Sequence, residues 1–441
     1  MHIIVIGSGW AGISAAMHAL QRGWKVTVVE DRPYIGGRAR SFADKQTGDV
    51  IDNGQHVMIG AYTHAQHIMQ TLHTEHMLEK QRALRVAFAD VRGHRTMLDA
   101  SNLPGRAGMV SALLRLQSLS TQARIASLRL AIRIMRKQVN ATNLTCQEFL
   151  QQEHQHADAV EWFWEPLVLA TLNAPIHQAA ADLLVTVMRL AFLGGRGASS
   201  LWIPTKGLSE LIAPFPEWLR SHGGALHLNT SVENITLLHD DSIEGGNGIV
   251  VSTNNSHQLH AYAVVSTIPQ RSLQRILDAS AISMHLPQQP TMSPIVSVYL
   301  WYSKDWLDID FTAAIGTTIQ WIFNKRSIKP GMVALTVSAA EHESATPITE
   351  LVAAYDAELR MLFPEMSGAE LLHSQVVKEK HATPLITPAV EQSRRTMHNL
   401  STKRFVIAGD WTVAGMPATI EAAARSGAYA ISTLERLSTN A

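Results

Sequence analysis

The sequence predicts an α/β fold in which one domain is assembled from separated segments and a second, apolar α+β domain is threaded between them. Three observations predict it. The chain opens as strand, glycine turn, helix and strand; a further strand and helix close it beyond residue 400; and 441 residues exceed what one growing core holds. With 46 % hydrophobic and 17 % charged residues, disorder and coiled-coil architecture are excluded, and 37 basic against 37 acidic side chains leave no electrostatic footprint for nucleic acid. The single cysteine, Cys146, has neither a disulfide partner nor a zinc-site companion. That fits a reducing compartment, so a cytoplasmic location is expected.

Ile3 to Ile6 form a short apolar strand running into GSGWAG, a GxGxxG turn at Gly7, Gly9 and Gly12. The helix after it, Ala11 to Arg22, stops at Gly23, and KVTVVE, Lys25 to Glu30, reads as a second parallel strand buried on both faces. In such a Rossmann-like unit Gly7 makes the tight turn, Gly9 lets backbone approach a pyrophosphate, and Gly12 packs helix on strand. Trp10 and Ala11 open the helix whose N–H groups and dipole face the phosphates. Glu30, eighteen residues after Gly12, is placed to accept hydrogen bonds from a ribose. No charged residue occurs between Met1 and Gln21, but the glycines and the missing basic n-region argue against a signal peptide or membrane span.

RPYIGGRARS, Arg32 to Ser41, follows directly, and its glycine pair with Arg38 and Arg40 suits a phosphate. It resembles the second dinucleotide motif of the amine oxidase and phytoene desaturase group of flavoproteins. That resemblance implies FAD, with Gly37 and Arg38 beside the pyrophosphate. Trp202 to Leu211 is expected to open a helix, and Ala225 to Leu228, Ile249 to Ser252 and Ala263 to Ile268 are strand patterns. The last re-enters the nucleotide domain, and the resemblance puts Val232 where the group holds adenine. Gly245, Gly246 and Gly248 sit in a turn between strands and form no second fingerprint. At the far end Arg404 to Ala408 makes a strand leading into Gly409, Asp410 and Trp411. The resemblance assigns Asp410 to the ribitol and aims the following helix, at Thr419 and Ile420, at the pyrimidine edge of the flavin. Its dipole end favours the negative charge of a reduced flavin. The expected FAD-binding domain is therefore 1–60, 200–275 and 400–441.

Segments 61–199 and 276–399 remain for the substrate. Trp162, Phe163, Trp164, Leu167, Leu169 and Leu172, with Met188, Leu190 and Phe192, read individually as core and together as the lining of an apolar tunnel. Strand patterns at Ile295 to Tyr302 and Thr318 to Phe323 offer a sheet wall beside the flavin. Between Asp99 and Glu148 no acidic residue occurs, while Arg106, Arg115, Arg124, Arg129, Arg133, Arg136 and Lys137 interleave with leucines and isoleucines. Region 100–147 thus suits docking on an anionic membrane surface or on a partner protein. His64 with His67 and His73 with His76 lack the context of a metal array, and no metal is expected. No GxSxG elbow or P-loop occurs.

The resemblance sharpens at DNGQH (52–56), WEPLVLATLN (164–173), QWIF (320–323), GDW (409–411) and MPATIE (416–421). These are similar to hydroxysqualene dehydroxylases, squalene-associated flavoenzymes of bacterial hopanoid pathways. One departure is Val413 to Gly415, where a more polar loop is expected. The resemblance implies removal of an allylic hydroxyl from a C30 isoprenoid to leave squalene; with no second nucleotide fingerprint, NAD(P)H or another external donor is the expected reductant, and region 100–147 suggests a peripheral place on the cytoplasmic membrane. Such chemistry needs a proton donor in a dry site. Glu165, in the aromatic stretch where desolvation favours a protonated carboxyl, and His56, close behind the glycine pair, are the candidates; each also reads as a structural contact. Two rival readings stay open: a carotenoid desaturase or amine oxidase running hydride toward oxidised FAD, and a flavin-bearing membrane scaffold without turnover.

Overall fold

The computed structural model describes residues 1–238, 248–280, 282 and 284–439. Its first sheet has five strands, in the order Ala225–His227, Lys25–Val29, His2–Ile6, Ala263–Ser266 and Phe405–Ile407, and every pairing is parallel. Ile3, Ile4 and Val5 are fully buried, as the continuous apolar run requires of a strand covered on both faces. The helix Trp10–Gln21 covers one face, and the C-terminal helix Ile420–Thr439 lies against it. On the other face Val232–Leu237, Ile249–Thr253 and Gln258–Ala261 form a small antiparallel sheet that shares a core with Ile4, Ile6 and Val29.

A second sheet has seven strands, in the order Leu371–Pro384, Met292–Tyr302, Met332–Ser338, Trp321–Asn324, Phe311–Ile315, Arg85–Asp90 and Arg95–Asp99. Alternation divides its side chains. Val296, Val298, Leu300, Leu335 and Val337 pack on the helix Ile348–Leu362, whereas Tyr299, Trp301, Phe323, Met332 and Ala334 face the aromatic stretch and its neighbouring helices. Trp162, Phe163 and Trp164 are buried in that second core.

Several expectations need correction. Leu201–Pro204 is a strand, not the start of a helix: it pairs with Met58–Ile59 and Leu78–Lys80, and only a short 3₁₀ turn, Leu208–Leu211, follows. The strand expected from Thr318 begins at Trp321. The aromatic stretch is helical but widens into π-helical turns at Val160–Trp164 and again at Met188–Phe192, a feature that often accompanies functional sites. Gly245 and Gly246 lie outside the described residues; Gly248 immediately precedes the strand Ile249–Thr253. Region 100–147 contains the helices Gly105–Arg115 and Thr121–Met135. Among the described residues no helix is long and apolar enough to cross a membrane.

Candidate active site

Two glycine turns meet backbone to backbone. Gly7 adopts φ +97° and its N–H donates to Val29 O at 2.8 Å; a Cβ on Gly12 would stand 2.0 Å from Gly7 O. Gly9 bridges Gly36, Gly36 N–H donates to Ser8 O at 2.9 Å, and a Cβ on Gly37 would come within 3.4 Å of Gly9 Cα. Side chains at these positions would fill the cradle, so the residues present fit a dinucleotide pyrophosphate. Glu30 closes the turn: its buried carboxylate accepts from Ser8 N–H at 2.8 Å, Ser8 Oγ at 2.7 Å and Arg32 N–H at 3.0 Å. Burial pushes this carboxyl up, and the Ser8 and Arg32 hydrogen bonds pull it back. Trp10, buried at the head of the helix, leaves its indole N–H without a partner among the described residues. Val232 is half-buried at the bulged end of its strand, packed against the core of the nucleotide sheet.

Arg38 and Asp410 meet directly: Nη2 donates to Oδ1 at 2.7 Å, while Nη1 donates to Ala382 O at 2.6 Å. Gly409, at φ +138°, donates to Ser426 Oγ at 2.8 Å. Thr419 caps the C-terminal helix, its Oγ accepting from Ala422 N–H at 3.2 Å, and Ile420 turns its side chain into the core. Glu421 in the next position is 1 % exposed and caps another helix, Thr63–Thr71, by accepting from His64 and Ala65 N–H at 3.0 Å each.

The sequence reading missed the pair that holds the Val413–Gly415 loop. Arg394, 2 % exposed, donates to Glu391 at 2.9 Å, to Asp410 O at 3.0 Å, to Trp411 O at 3.2 Å, to Met416 O at 2.9 Å and to Val413 O; Glu391 accepts Gly415 N–H at 2.6 Å. A nonpolar loop suffices there because its polarity is supplied by its carbonyls and one guanidinium.

The DNGQH segment joins cradle and second sheet. Asn53 donates to Arg38 O at 3.3 Å and to Glu379 at 2.9 Å; Tyr299 OH donates to Asp52 O at 2.8 Å and accepts from Gln55 at 2.6 Å. Asp52 Oδ1 accepts from Ser41 Oγ at 2.6 Å and Leu208 N–H at 3.0 Å. His56 is half-buried, with Nδ1 2.8 Å from Gly54 O; burial pushes its imidazole down, against the pull of Gly54 and Asp52. Lys325, 8 % exposed at the end of Trp321–Asn324, is likewise pushed down by burial and opposed by Asp52. A buried lysine beside an acid in an apolar core is a functional-site signal, and nothing in its local sequence announced it. Asn173, at φ +47°, ties three strands together by donating to Ser293 O at 3.1 Å and Thr383 Oγ at 2.9 Å and accepting from Ala339 N–H at 2.8 Å. Glu165 is half-buried inside the helical run, less enclosed than its aromatic neighbours led us to expect. Ala418 and Val57 both pack against the apolar core that contains Trp162 to Trp164, so that core reaches the start of the C-terminal helix and the neighbour of His56.

Residues 10–430 match the family described as flavin containing amine oxidoreductase. The chain is 27 % identical to a hydroxysqualene dehydroxylase of Zymomonas mobilis and 28 % identical to one of Rhodopseudomonas palustris, covering 96 % of each chain in both cases. A solved putrescine oxidase double mutant shares the fold at a TM-score of 0.75, with 14 % identity and 99 % of both chains covered.

Proposed function

The chain belongs to the flavin containing amine oxidoreductase family, with FAD as cofactor, and on that premise we propose that it reductively removes the hydroxyl of hydroxysqualene to give squalene. The single observation that carries this reading is the continuity of the apolar core from Phe149 and Trp162–Trp164 to Ala418, beside the helix start at Thr419. A hydrocarbon chain fits against such a wall, whereas a small amine would leave most of it uncovered. Full-length likeness to the Zymomonas and Rhodopseudomonas dehydroxylases supports the same substrate.

FAD, reduced by an external donor such as NAD(P)H, supplies the hydride. The chain's own residues do the rest. Segments 1–60, 200–275 and 400–441 hold the cofactor through Gly9, Gly37, Glu30, Arg38, Asp410 and the backbone at Thr419 and Ile420, while 61–199 and 276–399 enclose the substrate and keep water out. Glu165 or His56 gives a proton to the departing oxygen: the C–O bond breaks, a C–H bond forms, and water leaves. Region 100–147 docks the enzyme peripherally on the anionic cytoplasmic face of a membrane, where its substrate is dissolved. On the helix Thr121–Met135 and just beyond, Ile125, Arg129 and Arg136 share one exposed face, and the exposed Leu114 and Leu190 lie on adjoining helices.

Anaerobic single turnover with FAD reduced by a deuteride donor tests the direction. Deuterium at the former carbinol carbon of squalene is expected. Unlabelled product, or squalene from oxidised enzyme without reductant, would show the reading to be wrong.

A further inference from the structure

On the face of the seven-stranded sheet that lines the apolar core, three polar side chains stand side by side. Trp321 pairs with Thr336, and Thr336 with Ser297, across adjacent strands. Ser297 is 1 % exposed and Thr336 8 %. Ser297 Oγ, Thr336 Oγ1 and Trp321 Nε1 are all buried, and none has a hydrogen-bond partner among the described residues. Cross-strand neighbours lie about 5 Å apart, so one oxygen placed over the row reaches two of them. Buried polar groups left unpaired are costly, and aliphatic residues at these positions would pack as well without that cost. Tyr299, two residues beyond Ser297 on the same face, anchors the strand to the DNGQH segment, and that segment is bound to Arg38. The row therefore lies on a wall that is tied to the cofactor cradle through Tyr299.

The geometry points to Ser297, Thr336 and Trp321 as the binding site for the hydroxyl of the substrate, the one polar group on an otherwise hydrocarbon chain. An alcohol donates one hydrogen bond and accepts two; the indole N–H only donates, and the two side-chain hydroxyls do either. The row offers an alcohol two hydrogen bonds and offers a plain polyene none, which gives the site its discrimination between substrate and product: once the oxygen leaves, the row is again unpaired and the hydrocarbon loses its hold. The inference rests on the dehydroxylase reading and adds the residues that select the hydroxyl.

The FAD-loaded enzyme, kept oxidised so that no turnover occurs, is titrated with hydroxysqualene and with squalene while the flavin spectrum is followed. Wild type should bind the alcohol more tightly. In Ser297→Ala/Thr336→Val that preference should fall by about tenfold, two neutral hydrogen bonds each being worth a few-fold, with squalene affinity unchanged or improved and FAD content normal. Thr336→Ser, which keeps a hydroxyl, should retain most of the preference. A double variant that binds and converts hydroxysqualene like wild type, or that loses stability without losing the preference, would mean that the row holds only a structural water, and the inference would fall alone. Wild type that converts no hydroxysqualene when given a reductant would overturn the dehydroxylase reading, and the inference with it.

Discussion

Arg394 holds five backbone and side-chain acceptors while almost wholly withdrawn from water, and burial pushes its guanidinium down just as it pushes the Glu391 carboxyl up. Such a pair holds only while both members are present. Arg394→Met should cost about 3–5 kcal/mol by urea unfolding and release FAD, because the loop it secures carries Asp410; Arg394→Met/Glu391→Leu should recover part of the stability. Stability in the double variant no better than in the single would refute the pairing. In sequence the two residues sit three apart on Pro388–Arg394 and look like an ordinary surface pair, which is why only the fold reveals them. The glycine turn and the contacts of Glu30 with Ser8 and Arg32 were legible because they are local and their spacing is fixed by one turn, whereas the partners of Arg38, Ala382 and Asp410, lie far along the chain. His18 makes a pH-dependent contribution: burial first, then His67, Arg22 and His64, push its imidazole down to about 4 from 6.5. Between pH 6.5 and 4 the unfolded chain therefore binds a proton that the folded chain refuses, so stability falls as pH falls through that window and levels off below it. Moving from pH 7 to 5 should cost about 1–2 kcal/mol through this residue after solvent screening. His18→Gln should flatten that dependence, and unfolding midpoints that track wild type at both pH values would refute it.

At the scale of elements, the first helix and the last approach backbone to backbone. A Cβ on Gly427 would lie 2.1 Å from Ala11 O and 2.8 Å from Ala15 N, distances only backbone displacement relieves. Gly427→Ala should lower stability by roughly 1–3 kcal/mol and weaken FAD retention on gel filtration, since the shift is passed to the helix start at Thr419; a variant that keeps its flavin and melts like wild type would contradict this coupling. Elements whose partners are near in sequence were readable: His2–Ile6, the following helix and Lys25–Val29 come from one continuous stretch. Leu201–Pro204 was not, because what makes it a strand is Met58–Ile59 on one side and Leu78–Lys80 on the other. Nor were the π-helical turns, where Val160–Trp164 and Met188–Phe192 keep a helical apolar pattern while the backbone widens to pack their large side chains.

At the scale of the molecule, net charge is balanced, yet the cations of region 100–147 are not equivalent. Arg106 donates to Leu193 O at 2.6 Å, Arg124 to Leu116 O at 2.9 Å, and Arg133 pairs with Glu153 at 3.1 Å. Arg129, Arg136 and Lys137 are exposed and form no ion pair among the described residues. Replacing these three by Gln should weaken sedimentation with phosphatidylglycerol vesicles by about 1 kcal/mol per cation at low salt, with the remaining binding insensitive to salt; binding unchanged by the triple replacement would place the docking face elsewhere. The sheet order has a different consequence, for how the protein is made. Its fifth strand, Phe405–Ile407, and the helix Ile420–Thr439 emerge from the ribosome after the rest of the sheet. Until then Ala263–Ser266 presents an open, fully buried-type edge, and the glycine turn has no helix Ile420–Thr439 behind it. Parallel strands so distant in sequence pair slowly, and an exposed apolar edge invites aggregation while it waits. The cradle is therefore complete only once Phe405–Ile407 and Ile420–Thr439 have been made, and until then the waiting strand edge is the part of the chain most in need of protection.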